Sequence, residues 1–176
     1  MNFPQYLADL KILPVLTVED EQTAVALCQA LSRAGLRAVE ITLRTAAALA
    51  ALNAVKRALP DLQTAAGTVT RPAQMAQVKD AGADFAVSPG LTETLIAAAN
   101  EAELPFLPGV ATASEVIRGQ ELGITCFKLF PATAVGGLPL LQSLAAPLPT
   151  AHFCPTGGLN QTNFAGFLAL PNVPCV

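Results

Sequence analysis

The chain is 176 residues long, with 52% hydrophobic residues, 13% charged residues and a formal net charge of -3. That length fits a single domain, 1–176, and the apolar excess excludes a disordered chain. With 10 Lys+Arg against 13 Asp+Glu and no basic run interleaved with aromatics, nucleic acid is not an expected partner.

In chain order, the start MNFPQYLADLK has no basic region followed by an apolar one, so no secretory signal is read and a cytoplasmic protein is expected. No stretch of about 18 residues runs free of charges, prolines and turn residues, so no membrane partner is expected either. A strand begins near Lys11 and a helix fills 19–34, with Thr17 before Glu19 and Asp20 as its start signal. The second strand begins near Arg37. There Val39, Ile41 and Leu43 alternate with Glu40, Thr42 and Arg44, which puts an apolar and a polar set on opposite faces. A helix over 45–59 leads to a strand near Leu62 that ends in Ala66-Gly67-Thr68. After a helix over 71–81, the strand near Ala83 ends in Ser88-Pro89-Gly90. Thr92 before Glu93 starts a helix over 91–101, and the strand near Leu104 ends in Leu107-Pro108-Gly109. Thr112 before Ser114 and Glu115 starts the helix over 112–121. The strand near Ile124 carries Lys128 and ends in Phe130-Pro131-Ala132. A helix over 137–146, a strand near Ala151 ending in Cys154-Pro155-Thr156-Gly157-Gly158, a helix over 160–169 and a strand near Asn172 complete the chain.

Strands recurring every roughly 20–27 residues with helices between them are the pattern of a parallel α/β fold, here a compact (β/α)8 TIM barrel. Proline cannot donate to a ladder, so its recurrence at one end of successive strands marks one rim, the rim on which such barrels build active sites. Plain strand termination explains each proline equally well when taken alone. In a barrel the polar face of the second strand does not meet water, so Glu40 and Arg44 become lumen or rim charges that need partners or a function. In an antiparallel sheet the same face would be solvated.

Of the four lysines, Lys11, Lys56 and Lys79 sit among polar residues or at a strand start. Lys128 lies within Cys126-Phe127-Lys128-Leu129-Phe130, surroundings that disfavour an ammonium and favour the neutral amine that attacks a carbonyl. A lysine that snorkels to the rim or pairs with Glu40 is the structural alternative. The Gly157-Gly158 turn leading into a helix suits a phosphate, although a plain turn has the same sequence. The single His152 rules out a two-histidine metal site, and Cys28, Cys126, Cys154 and Cys175, with no CxxC pair, are expected to be buried free thiols.

Val39-Glu40-Ile41-Thr42-Leu43-Arg44-Thr45, Ala66-Gly67-Thr68-Val69, Val87-Ser88-Pro89-Gly90, Leu107-Pro108-Gly109-Val110, Phe127-Lys128-Leu129-Phe130-Pro131-Ala132 and Phe153-Cys154-Pro155-Thr156-Gly157-Gly158 occur in that order. Together they resemble the 2-keto-3-deoxy-6-phosphogluconate (KDPG) aldolase and 4-hydroxy-2-oxoglutarate aldolase family. The resemblance implies a class I aldolase of the Entner-Doudoroff pathway, a lyase that cleaves KDPG to pyruvate and glyceraldehyde 3-phosphate and also acts on 4-hydroxy-2-oxoglutarate. It implies a homotrimer, a small phosphorylated keto-acid substrate, no cofactor and no metal. By motif, the Schiff-base lysine falls on Lys128 and the acid/base on Glu40. Arg44 and Thr68 receive the pyruvate carboxylate, Phe130 and Pro89 line the pocket, and Thr156, Gly157 and Gly158 face the distal phosphate. Against the family pattern, the end of strand eight and helix eight are expected to be absent, and Thr133 stands where many relatives carry glutamate. An aldolase for the phosphogalactonate isomer and a non-catalytic phosphate-binding barrel are the alternative readings.

Overall fold

The structure, a computed structural model, describes residues 2–176. They form two compact units.

The first unit holds residues 12–88 and 92–106. Its sheet is parallel, in the order β1 (Val15–Leu16), β2 (Ala38–Thr42), β3 (Gln63–Gly67), β4 (Phe85–Val87), β5 (Phe106–Leu107). Helices α2 (Glu21–Arg33), α3 (Ala48–Ala58), α4 (Ala73–Asp80) and α5 (Glu93–Glu101) connect these strands. The register sets Glu40 of β2 beside Val15 and Ala65, and Thr42 beside Gly67. All five residues of β2 are buried, which excludes a solvated polar face: Glu40 is 1% exposed and Thr42 is 0% exposed. At the opposite end of the strands, Asp84 accepts bonds from the Lys56 ammonium at 2.8 Å and the Thr64 amide at 2.7 Å. One carboxylate thus pins α3 and the starts of β3 and β4, and the Thr64 amide it satisfies is a group whose loss costs about 1–3 kcal/mol when buried unpaired.

The second unit holds the described residues through Lys11, residues 89–91 and residues 107–176. Its sheet is parallel, in the order β6 (Gly109–Val110), β7 (Cys126–Leu129), β8 (His152–Pro155). Helices α6 (Ala113–Glu121) and α7 (Gly137–Ala145) supply its outer layer. Phe127, Leu129 and Phe153 pack with Val116, Leu141 and Leu144 into one core. Gly119 of α6 leaves room for the Phe127 ring, which a side chain there would strike.

Side-chain caps open four of the eight described helices, α1 (Phe3–Leu10), α2, α5 and α6. Thr92 accepts from the Leu95 amide, and Thr112 and Glu115 form a reciprocal capping box. For α2 the cap is Asp20, which accepts from the Thr23 amide at 2.7 Å, and not the expected Thr17, whose hydroxyl lies 3.0 Å from that of Thr42. That amide bond holds the Asp20 carboxyl below its ordinary range.

Four further features differ from expectation. Helix α1 (Phe3–Leu10) precedes the first strand, with Pro4 in its first turn and the Asn2 side chain accepting from the Gln5 amide. Pro108 splits the expected fifth strand into β5 and β6, which belong to separate sheets. The helix expected over 160–169 is the short α8 (Phe164–Leu168), because Asn160 and Asn163 turn back on the local backbone instead of opening a helix. No strand is assigned near Asn172. The segment still makes two ladder-like bonds, from the Phe153 amide to the Asn172 carbonyl at 2.8 Å and from the Val176 amide to the Lys11 carbonyl at 2.9 Å.

Candidate active site

Alternation along β7 separates two sets of side chains. Phe127 and Leu129 belong to the core shared with α6 and α7, so Cys126 and Lys128 take the other face. Lys128 is 6% exposed. Its Nζ stands 5.5 Å from the centroid of the Phe130 ring, a cation–π distance. Its strand neighbours in register are Gly109 and Cys154, the first without a side chain and the second short. A long amine is therefore held in space that its neighbours leave open. Gly109 has a second role: any Cβ there would run into the Pro89–Gly90 backbone, closest to the Pro89 carbonyl oxygen. Its bareness lays Pro89 against the strand next to Lys128.

Beyond β7 and β8 two loops are clasped. The Ala132 amide donates to the Thr156 carbonyl at 2.8 Å, the Thr133 amide to the Gly157 carbonyl at 3.1 Å, and the Thr133 hydroxyl to the same carbonyl at 3.2 Å. The Phe130-Pro131 peptide is cis. Gly157 and Gly158 have φ of 100° and 81°, and a Cβ on Gly158 would strike Thr133. Both glycines are thus required by backbone angle and by space. Helix α8 starts only at Phe164, so its dipole does not reach the Gly157-Gly158 turn as the sequence suggested.

The Cys126 thiol, on the Lys128 face of β7, is held in its protonated form at ordinary pH. Burial first, and the neighbouring Cys154 in smaller part, push Cys126 up to about 12 from an ordinary 9.0. The hydrogen bond with Cys154, then burial, raises Cys175 further. Burial pushes Cys28, in the first unit, up to about 11. All four cysteines are free and buried, as expected.

In the first unit, Glu40 lies in the middle of β2 and leans along it. An added Cβ on Gly67 would fall 2.6 Å from its Cγ, 2.7 Å from its Cδ and nearer still to Oε1. The carboxylate therefore rests on the backbone of β3 one pleat beyond its register partner Ala65, toward the carboxyl ends of the strands. Arg44 and Thr68 leave β2 and β3 at that same end, Arg44 exposed and Thr68 half-buried. Thr68 has φ of 61°, a left-handed conformation that a β-branched residue adopts only under strain of about 1–3 kcal/mol. The Leu43 amide bonded to the Gly67 carbonyl and the Val69 amide bonded to the Val87 carbonyl hold the turn on either side. Among the described residues no group of three or more His, Cys, Asp or Glu side chains is placed to hold a metal.

Each unit thus brings its own share of the expected residues together: Lys128, Phe130, Pro89, Thr156, Gly157 and Gly158 in one, Glu40, Arg44 and Thr68 in the other. Gly67, Gly109 and Cys154 were not anticipated. Their signal is smallness, a run such as Ala65-Ala66-Gly67 beside a strand that buries a long polar side chain.

Comparison with known proteins follows this geometry. The family model for KDPG and KHG aldolase matches residues 4–176. A KHG/KDPG aldolase of Escherichia coli is 44% identical over 165 residues, 94% of this chain and 78% of that protein. A 2-dehydro-3-deoxy-phosphogluconate aldolase of Dickeya dadantii is 44% identical over 98% of this chain and 81% of its own length. A crystal structure of KDPG aldolase from Legionella pneumophila, with pyruvate captured at low pH as a covalent carbinolamine intermediate, superposes with a TM-score of 0.96 at 41% identity, covering 100% of this chain and 85% of that one. The fold class is therefore that of these aldolases, the (β/α)8 TIM barrel.

Two outcomes follow from the site's physics. Between pH 9 and about 12 the folded chain keeps the Cys126 and Cys28 protons that an unfolded chain releases, so stability falls as pH rises through that window and these thiols add no slope below it. Urea midpoints measured from pH 7 to 11 will decline above 9, less steeply in Cys126→Ala; a flat profile is the contrary result. Thr68→Gly, which relieves the left-handed strain less the added chain entropy, gains about 1 kcal/mol in the same unfolding measurement.

Proposed function

The chain belongs to the KDPG and KHG aldolase family, and from that premise we propose how its residues divide the work of a Schiff-base cleavage. It is a class I aldolase, a carbon–carbon lyase that splits KDPG into pyruvate and glyceraldehyde 3-phosphate and acts on small phosphorylated keto acids. The observation that carries the proposal is the amine of Lys128, buried on the strand face opposite the core, in a chain that resembles over its whole length an aldolase trapped covalently with pyruvate.

Lys128 attacks the substrate's keto carbon, and the carbinolamine that results loses water to give a protonated imine. That imine is the electron sink. Glu40, directly or through a water, takes the proton of the 4-hydroxyl as the bond between carbons 3 and 4 breaks, so glyceraldehyde 3-phosphate leaves and the bonding pair becomes an enamine on Lys128. Returning the proton to carbon 3 regenerates the imine, and water releases pyruvate and the free amine. A positioned acid/base of this kind contributes about 10²–10⁴-fold. No metal or organic cofactor has a part, because the imine itself accepts the electron pair.

Arg44 and Thr68 hold the carboxylate next to the keto carbon. A bidentate guanidinium fixes its plane, and the strained turn at Thr68 is the kind of preorganisation that binding sites keep at the expense of stability. Phe130 walls the imine, as its cation–π distance to Nζ supports, and Pro89 closes the pocket edge. Thr156, Gly157 and Gly158, clasped to the loop at Ala132 and Thr133, take the distal phosphate. Cleavage of 4-hydroxy-2-oxoglutarate uses the same lysine without that last contact. The whole chain acts as one barrel domain, in a cytoplasmic homotrimer; light scattering at three chain masses supports the assembly, and a monomer mass sinks it.

Borohydride reduction in the presence of pyruvate is expected to leave a stable pyruvyl adduct on Lys128, located by peptide mass mapping, and Lys128→Ala is expected to lose cleavage by at least about 10³-fold while remaining folded. An adduct on another lysine, or an active Lys128→Ala, refutes the assignment.

A further inference from the structure

Gly67 sits at the end of β3 with a backbone that any residue adopts, since its φ is not among the positive values. Conformational freedom therefore does not explain the glycine. Space does: the atoms that a Cβ would meet there are Cγ, Cδ and Oε1 of Glu40, at distances that real Cβ atoms do not show. Glu40 is 1% exposed and its strand is buried at every position, so a Cβ at Gly67 would displace a packed side chain. The neighbouring Leu43 amide bonds the Gly67 carbonyl at 2.8 Å, which ties β3 to β2 at this point and resists widening of the gap.

We propose that Gly67 is a positioning residue for the reaction: its missing side chain forms the seat on which the Glu40 carboxylate lies, and it sets where along the strand that carboxylate delivers its proton. This rests on the assignment of Glu40 as the acid/base. Gly67 touches no reacting atom; it acts through Glu40. Because proton transfer is sensitive to displacements of about 1 Å, a methyl group at position 67 lowers kcat by about 10²-fold. It leaves KM for KDPG within a few fold, since the carboxylate and phosphate contacts belong to other side chains and loops, those of Arg44, Thr68 and Thr156 to Gly158. It also shifts the pH profile of kcat, which a merely structural defect leaves in place.

The test is a two-by-two set: the natural chain, Gly67→Ala, Glu40→Ala and the pair. In the pair, the space Glu40 occupied is vacant and receives the new methyl. Gly67→Ala is therefore expected to lower activity and the thermal midpoint in the natural background but neither in the Glu40→Ala background, where the midpoint returns to that of Glu40→Ala alone. If Gly67→Ala does not fold, recovery of folding in the pair supports the proposal and failure of the pair to recover overturns it. Full activity with an unshifted pH profile in a folded Gly67→Ala also overturns it, as does additivity of the two changes. Failure of the underlying assignment looks different: Glu40→Gln would then remain as active as the natural chain, while the coupling of midpoints between positions 40 and 67 would persist.

Discussion

A carboxyl group placed mid-strand and only 1% exposed constrains everything around it. β2 is buried at all five positions, as strands of a parallel sheet covered on both faces are. Its apolar residues need no further explanation, but Glu40 and Thr42 do. Thr42 is satisfied by the Leu16 carbonyl of the neighbouring strand. Glu40 is a larger problem, since an ionised group away from water is expensive unless it is partnered or used. The chain accommodates its bulk by surrendering volume next door. Ala65 and Gly67 share the Glu40 face of the sheet, and interiors are close-packed, so the bareness of β3 at Gly67 leaves room for the Glu40 side chain.

The same arrangement recurs in the second unit. Lys128, again mid-strand and buried, has Gly109 on one flank and Cys154 on the other. A long polar side chain is again set between short neighbours. On the Lys128 face burial pushes the Cys126 thiol up to about 12, so it brings no charge there, and the Lys128 Nζ stands 5.5 Å from the centroid of the Phe130 ring. The bare flank at Gly109 also admits the Pro89–Gly90 backbone, so one missing side chain serves both the amine and the loop beside it.

At the carboxyl ends of the strands, placement is achieved by backbone more than by side chains. Thr68 is held at φ of 61° by amide bonds on both sides of its turn, and the loop at Thr156 and Gly157 is tied through its carbonyls to the amides of Ala132 and Thr133. Backbone-to-backbone bonds in a packed loop leave few degrees of freedom, which suits the substrate-holding role proposed for these residues. The left-handed φ of Thr68 is strain of the kind that binding sites keep, in line with the role proposed for it.

Residue type alone carried part of this to view. Thr92 and Thr112 were legible as helix caps because a hydroxyl before an acidic first turn has one dominant use, and Lys128 stood out because ammonium groups are rare among Phe, Leu and Cys. Asp20 displaced Thr17 as a cap because two acceptors in the same stretch competed and Thr17 was engaged by Thr42 across the sheet, a long-range contact. The helix over Phe3–Leu10 was not among the expected elements, although Asn2 caps it and Pro4 stands in its first turn, where proline removes no needed bond. Gly67 shows where local reading must stop. Along the chain it belongs to a small turn before Thr68; its cause lies on another strand, and the parallel register pairs it with Thr42 while the side chain that needs its space is Glu40, one pleat earlier. Strand register is a property of two segments together, and a glycine whose reason is a neighbour's side chain becomes intelligible only once both the register and the lean of that side chain are known.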